Sequence, residues 1–508
     1  MKLVFGAQGT FTKIFFDAYQ NLKKNKADIK SCIFFTADAH YYYANNLDQL
    51  SSGHSDIQVL KEWDFTCKKN IQLENSRFIY LKNKYKDTNL WNAVVCDRRL
   101  MYGADAKFIQ NYTPRFDHKQ LQNIIYHTLD RLDFILSKDE KICVITPIPA
   151  CYYDYLLYLC AKKNKKDYLQ LKFTKVENRV IFSQTFSGNC PEEIDKSYNK
   201  NLNQDIPDTF HSKVEEYLIN AKKEKQLYEG VILQNKLLKD SIIEFGRDVW
   251  GGTLKKYLLP KLWTRLKDPH VPPFTSNVTT KYFYKPIRKW RINYIIKKRN
   301  ITLSEMKKGE YYFYPMHSEP EISISVHGKK WQNQIELIRK IAQSIPLGAG
   351  LVIKEHPRNL GYRSISYYKA LLQIPNLYFI DSNYSTYSVI KNSQLVFVLS
   401  GFVGFEAIIL KKPVIVFGDT MYGCLPDSMI RKCINTSNLS EVIKDLVSNY
   451  QYSSHNLKSY LSAVYENTEG INFYSSLLGK KGRHSVGDNI SYNEEIKILS
   501  KFIYKKLR

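Results

Sequence analysis

Two short stretches of the chain hold side chains suited to gripping a phosphate. The first is Leu351-Val-Ile-Lys-Glu-His-Pro357, and the second is Leu395-Val-Phe-Val-Leu-Ser-Gly-Phe-Val-Gly-Phe-Glu-Ala407. Each reads as a buried strand that runs straight into polar and glycine residues. Residues i and i+2 of a strand face the same way, so a strand that persists to its end projects Lys354 and His356 together. Pro357 stops the ladder and stiffens the turn. An ammonium beside an imidazole can contact a nucleotide phosphate and steady the charge left when an attached group departs. Taken alone, Lys354 as a solvated strand end and His356 as a turn cap explain these residues just as well. The second stretch changes the balance. Gly401 and Gly404 let backbone approach closely, and the first amides of a helix starting there suit an anion. Ser400 adds a hydroxyl. Glu406, in the first turn, either accepts from ribose hydroxyls or complements the helix dipole. One strand-helix-strand unit separates the two stretches, which places them at strand ends on one edge of a parallel sheet, where ligands bind. Together they point to a nucleotide-activated donor.

The elements that must position them alternate strand and helix. In the first half, strands are predicted at 2–6, 31–35, 78–81, 92–96 and 141–146. Helices are predicted after the first strand (Phe11, Ile14, Phe15, Ala18) and at 153–162, a surface loop at 187–208, and a long helix or two short ones over 213–246. The second half restarts with a strand at 311–315 and a helix at 330–344. After the Lys-Glu-His-Pro strand come a helix at 366–373, a strand at 376–380 and a helix at 386–392. A strand at 395–399, a helix at 404–410, a strand at 414–417 and a helix near 437–447 follow, and the last helix is predicted at 493–506. This alternation predicts an α/β fold of two Rossmann-like units facing a cleft and closed by a C-terminal helix, the arrangement known as GT-B. The expected boundaries are 1–246 for a first, acceptor-side and catalytic unit, 247–308 for a connection, 309–490 for a nucleotide-sugar-binding unit, and 491–508 for the final helix.

Composition narrows the class. With 508 residues and 44% hydrophobic content, the chain is globular and long enough for two cores. Its nine cysteines form no C-x-x-C pair, which speaks against a disulfide framework or zinc site and for a reducing cytoplasm. The N-terminal apolar run is too short for a signal peptide. The apolar window 142–161 contains Pro147, Pro149 and Asp154, so it is expected to be strand, turn and helix rather than a membrane span. The formal charge of +26 is unevenly spread: Lys255 to Arg299 holds thirteen Lys/Arg against the single acid Asp268, interleaved with Trp263, Tyr282, Tyr284 and Trp290. Such a stretch suits an anionic lipid surface, single-stranded nucleic acid, or a solvated linker in a lysine-rich chain. No RNA-binding signature or zinc-finger spacing accompanies it, so nucleic acid is not expected as a partner.

The stretch from Tyr314-Pro-Met-His-Ser-Glu-Pro-Glu321 to Val416-Phe-Gly-Asp419 resembles the capsule and surface polysaccharide biosynthesis family related to the capsular β-Kdo transferases. Lys354-Glu-His-Pro-Arg-Asn-Leu-Gly-Tyr-Arg363, Ser400-Gly-Phe-Val-Gly-Phe-Glu-Ala407 and Lys412-Pro-Val-Ile-Val-Phe-Gly418 carry the resemblance. It implies a GT-B glycosyltransferase that uses a CMP-sugar, most often CMP-Kdo, and binds CMP through the His-Pro and Ser-Gly elements. The acceptor would be a glycan or lipid-linked glycan, and the place of action the cytoplasm, peripherally at the inner face of the membrane. No Asp-x-Asp motif occurs, so neither a metal nor a separate cofactor is expected. His317 and Glu319 are then either ribose or sugar contacts or ordinary loop residues. The family's carboxylate nucleophile would fall on Asp154 first, with Glu177 and Asp97 behind it; a lone acid at a helix start also serves as a dipole partner. Just before it, Ala150-Cys-Tyr-Tyr153 departs from the glycine- and acid-containing turn expected of the family. A CDP-glycerol-type polymer transferase, a non-hydrolysing sugar-nucleotide epimerase and a catalytically silent scaffold of the export machinery are the competing readings.

Overall fold

A computed structural model describes residues 1–25, 28–50, 54–97, 100, 116–204, 208–223, 228–229, 285–305, 310–319, 321, 323–356, 359–480 and 491–508. The first unit holds β1 (Lys2–Gln8), β2 (Ser31–Ala37), β3 (Ile57–Lys61), β4 (Ile142–Thr146), β5 (Asp167–Phe173) and β6 (Arg179–Ser183). The second holds β7 (Tyr311–Pro315), β8 (Gly350–Lys354), β9 (Leu377–Ile380), β10 (Val396–Val398), β11 (Val414–Val416) and β12 (Ile430–Lys432). The first sheet runs β3-β2-β1-β4-β5-β6 and the second β9-β8-β7-β10-β11-β12. In both, the order reverses beside the first strand of the unit, at β1/β4 and at β7/β10, the doubly wound pattern that opens a crevice at the strands' carboxyl ends. All pairings are parallel except that of β6 with β5 and that of β6 with β13 (Glu469–Gly470), which closes the far edge of the first sheet. The strands are nearly continuous apolar runs, as they must be when helices cover both faces: residues 3–7 of β1 and all of β4 and β7 are buried. The fold is α/β and GT-B-like.

Several sequence expectations shift. Residues 78–81 belong to the helix Asn75–Lys84, in which only Leu81 is buried. Residues 92–96 belong to the helix Trp91–Cys96, where β-branched and aromatic content outweighed a 3.6-residue pattern too short to read. The third, fifth and sixth strands of the first sheet had gone unread. The loop expected at 187–208 contains the helix Glu192–Leu202, which buries Ile194 and Tyr198 one turn apart behind an acidic first turn. The second unit also ends before 490. The helix Ser454–Asn467 buries Leu457, Tyr460 and Leu461 in a core shared with Ile194 and Tyr198 of the first unit, β13 then joins the first sheet, and the helix Tyr492–Leu507 packs Ile496, Leu499 and Ile503 beside Ile14, Phe15 and Ala18.

Of the expected basic connection, only residues from 285 onward fall within the described chain, so Lys255, Lys256 and the aromatics up to Tyr284 lie outside it. The helix Lys285–Ile296 turns Arg288 inward to 8% exposure, against the expectation that this residue faces solvent or lipid. Among the described residues no helix is long and apolar enough to cross a membrane.

Candidate functional site

The loops that leave β7, β8 and β10 meet at one edge of the second sheet, and His317 lies at their centre. It follows β7 by two residues and is 8% exposed. Its Nε2 accepts the Leu399 amide at 3.0 Å, which ties the loop after β7 to the end of β10. Its ring fills the space a Cβ would need at Gly401, coming within 2.8 Å through Cε1. Only glycine lets the β10 loop approach this closely. Burial, reinforced by His356 and Arg363, pulls the His317 pKa down to about 3, so the imidazole is neutral. With Nε2 accepting, the proton resides on Nδ1. His317, His356, Ser400 and Gly401 therefore gather around the switch point. β8 and β10 flank β7, so His356 and Ser400 start from strands roughly 10 Å apart, two strand spacings.

Beneath this edge is a buried charge cluster that sequence reading missed. Arg363 is fully buried and bridges two carboxylates, Glu319 at 2.8 Å and Glu355 at 2.9 Å. Its Nη2 also donates to the His317 carbonyl at 2.8 Å. Gln334, likewise fully buried, accepts the His317 amide at 2.9 Å, donates to the His317 carbonyl and meets Glu319. Tyr368 Oη donates to Glu355 at 2.8 Å. Burial pushes Glu355 up, against the pull of Arg363. The cluster staples the loop after β7 to the loop after β8. Glu319, at 5% exposure, is thus part of the support rather than the sugar or ribose contact, or the open loop residue, that were expected.

The remaining expected residues separate by environment. Lys354 ends β8 at 9% exposure and donates to the Tyr384 carbonyl at 2.5 Å and to Thr386 Oγ1 at 2.8 Å. Its ammonium thereby fixes the start of the helix Thr386–Asn392. His356 is half-buried, and its amide donates to Glu355 Oε1 at 2.7 Å. Pro357 lies outside the described residues. Gly404 is a packing position inside the helix Val403–Ile409: a Cβ there would meet Val398 at 2.9 Å and collide with the Tyr422 hydroxyl. That hydroxyl donates instead to the Gly401 carbonyl at 2.6 Å. Glu406 is half-buried in the same helix, electrostatically close to Tyr217 and Tyr422. Asp154 is 2% exposed and caps its own helix, Oδ2 accepting the Ala150 and Cys151 amides at 2.9 Å each. A nucleophile must reach a sugar's anomeric carbon, and a carboxylate buried at a helix start beneath Gly6 of β1 is placed for capping instead. Asp97, also fully buried, accepts the Tyr152 amide at 3.1 Å. Glu177 stands in the turn between β5 and β6 at φ 49°.

A second polar cluster lies where the units touch. The loop after β7 reaches the first unit through Lys329, which donates to Asn92 at 3.2 Å. His327 packs against Gly188. Lys172, on β5, donates to the Ser187 carbonyl at 2.5 Å. Burial lowers Lys172 to about 8, with Asp419 opposing. Burial and then Lys172 lower His327 to about 4.

The family profile described as a capsule polysaccharide biosynthesis protein matches residues 261–425, which enclose β7 to β11 and the whole strand-end constellation. The match spans about a third of the chain. No curated protein sequence matches the chain. Among solved structures, the β-Kdo 2,7 transferase of Thermosulfurimonas dismutans KpsC aligns over 73% of this chain and 88% of its own, at 15% identity and TM-score 0.31. The β-Kdo 2,4 transferase of the same KpsC aligns over 63% and 78%, at 11% identity and TM-score 0.32. The UDP-GlcNAc 2-epimerase of Neisseria meningitidis aligns over 99% and 100%, at 12% identity and TM-score 0.22. The segment matched by the profile carries His317, Lys354, His356, Ser400 and Gly401.

Proposed function

We propose that the protein is a glycosyltransferase of capsular or related surface polysaccharide synthesis that moves a sugar, Kdo-like, from a CMP-activated donor to a glycan or lipid-linked acceptor. One observation carries the reading: within the segment that matches the capsule profile, His317 ties the loop after β7 to the end of β10 beside Ser400 and Gly401, next to the β8 loop with His356, at the switch point of a doubly wound sheet. In this reading the donor phosphate lies against His356 and the Ser400–Gly401 turn. As the bond from the anomeric carbon to the phosphate oxygen breaks and the acceptor hydroxyl attacks that carbon, giving up its proton to water, negative charge collects on the departing CMP. Hydrogen bonds waiting at that position stabilise it without reorganisation. The neutral His317 holds the two loops in place and offers Nδ1–H, while the Arg363 cluster keeps both loops at fixed separation. Cytoplasmic action follows from the nature of the donor.

Isothermal titration of the full chain with CMP, CDP, UDP and GDP tests this. The expected result is a preference for CMP, with His356→Ala weakening binding by roughly 10- to 100-fold, the worth of a charged hydrogen bond. A preference for UDP would shift the reading to a sugar-nucleotide epimerase. Binding of none of the four by a folded chain would leave the scaffold.

A further inference from the structure

We infer that the outward face of the helix Lys285–Ile296 docks the protein onto an anionic lipid bilayer beside the candidate nucleotide site. The helix is anchored from within: Pro286, Arg288 and Ile292 are buried, and Ile292 joins the core of the second sheet. Its outer side carries Ile287, Trp290 and Tyr294, which are 49%, 67% and 73% exposed. Steps of three and four residues set them in one stripe, and among the described aromatic side chains Trp290 and Tyr294 are the most exposed. Exposing this much apolar and aromatic surface to water is costly unless something covers it.

Charge says what covers it. Residues 285–299 contain seven Lys/Arg and no Asp or Glu, and Arg291, Lys297 and Lys298 are exposed. Aromatic rings at headgroup depth, flanked by cations that meet anionic lipid, are the composition of an interfacial helix. Single-stranded nucleic acid fits less well. The Trp290 and Tyr294 rings, centroids 6.4 Å apart at 20°, continue the apolar stripe begun by Ile287 rather than standing apart as separate platforms for bases. Ile287 offers nothing to a base or phosphate.

The position gives the surface a purpose. The helix begins against the loop after β8: the Lys285 ammonium stands 4.1 Å over the Tyr362 ring, and the Lys285 carbonyl abuts Gly361. Arg363 of the buried cluster is the next residue along. The docking face therefore stands on a helix whose start packs against the loop carrying His356 to Arg363, on the same lobe as the switch point. The docking surface itself stands whether or not the transferase reading does.

The test is sedimentation of the full chain with vesicles of phosphatidylcholine alone and of phosphatidylcholine with phosphatidylglycerol, at low and high salt. Binding is expected only with phosphatidylglycerol and to weaken as salt screens it. The double variant W290A/Y294A is expected to lose roughly tenfold or more in partitioning, and neutralising Arg291, Lys297 and Lys298 to glutamine about fivefold per charge. Unchanged circular dichroism and melting temperature establish that the variants are folded. Equal binding to both vesicle types, or wild-type binding by folded W290A/Y294A, overturns the inference. So does capture by a single-stranded oligonucleotide that this variant abolishes while vesicles fail to bind.

Discussion

The buried, neutral His317 makes a pH-dependent prediction that can be worked through. Its pKa falls from 6.5 to about 3 on folding, so between those values the unfolded chain binds a proton that the native one does not. Stability then rises with pH across that window and is lost as pH falls. At pH 5, 1.5 units below the unfolded value, the loss from this one group is about 1.5 × 1.36, or roughly 2 kcal/mol. His317→Gln removes the titration while leaving a side-chain oxygen able to accept the Leu399 amide. Urea unfolding of both proteins at pH 7 and pH 5, without nucleotide, isolates the effect because His327 and Glu355 titrate in both and cancel. The variant is expected to gain about 2 kcal/mol relative to wild type on going from pH 7 to pH 5. A stability difference independent of pH would mean that His317 is solvated or already protonated, and the account of the site's centre would fail.

Two further substitutions probe the frame around the site. Arg363→Met strands Glu319 and Glu355 in the interior and should cost about 3–5 kcal/mol. Because burial raises Glu355, and more so without its guanidinium, that cost should shrink at pH 5, readable as a smaller drop in melting temperature. Gly404→Ala drives a methyl into Val398 and the Tyr422 hydroxyl and should cost about 1–3 kcal/mol. Adding Tyr422→Phe should return part of it, measured by the same denaturation.

The parts of the fold that could be read in advance were those whose local pattern and tertiary burial agree. β7, β8 and β11 are short apolar runs between turn residues, and the helix Gln334–Ser344 repeats Leu337, Ile338, Ile341 and Ala342 on one face. The helix Asn75–Lys84 was misread because Phe78, Ile79 and Tyr80 favour strands, yet Ile79 and Tyr80 are nearly half exposed. For the site, strand-end position was enough to nominate His356, Ser400 and Gly401. It could not show that Gly404 serves packing, or that Lys354 is occupied by Tyr384 and Thr386, thirty residues further on. The Arg363 cluster was hidden for the same reason: its carboxylates come from two different loops, and ionic partners far apart in sequence leave no periodic trace. Asp154 drew notice as the lone charge in an apolar window, which is also what a helix cap looks like.

The return of β13 and the helix Tyr492–Leu507 to the first unit sets a timetable. The sheet that begins with Lys2 gains its edge strand, and the helix over Ile14 and Phe15, only from residues that follow the whole second sheet. At about 5–20 residues per second, the roughly 285 residues between β6 and β13 take on the order of 15–60 s to synthesise. For that interval the amino-terminal lobe waits with an open flank, available to chaperones, and neither lobe is a finished object before the other.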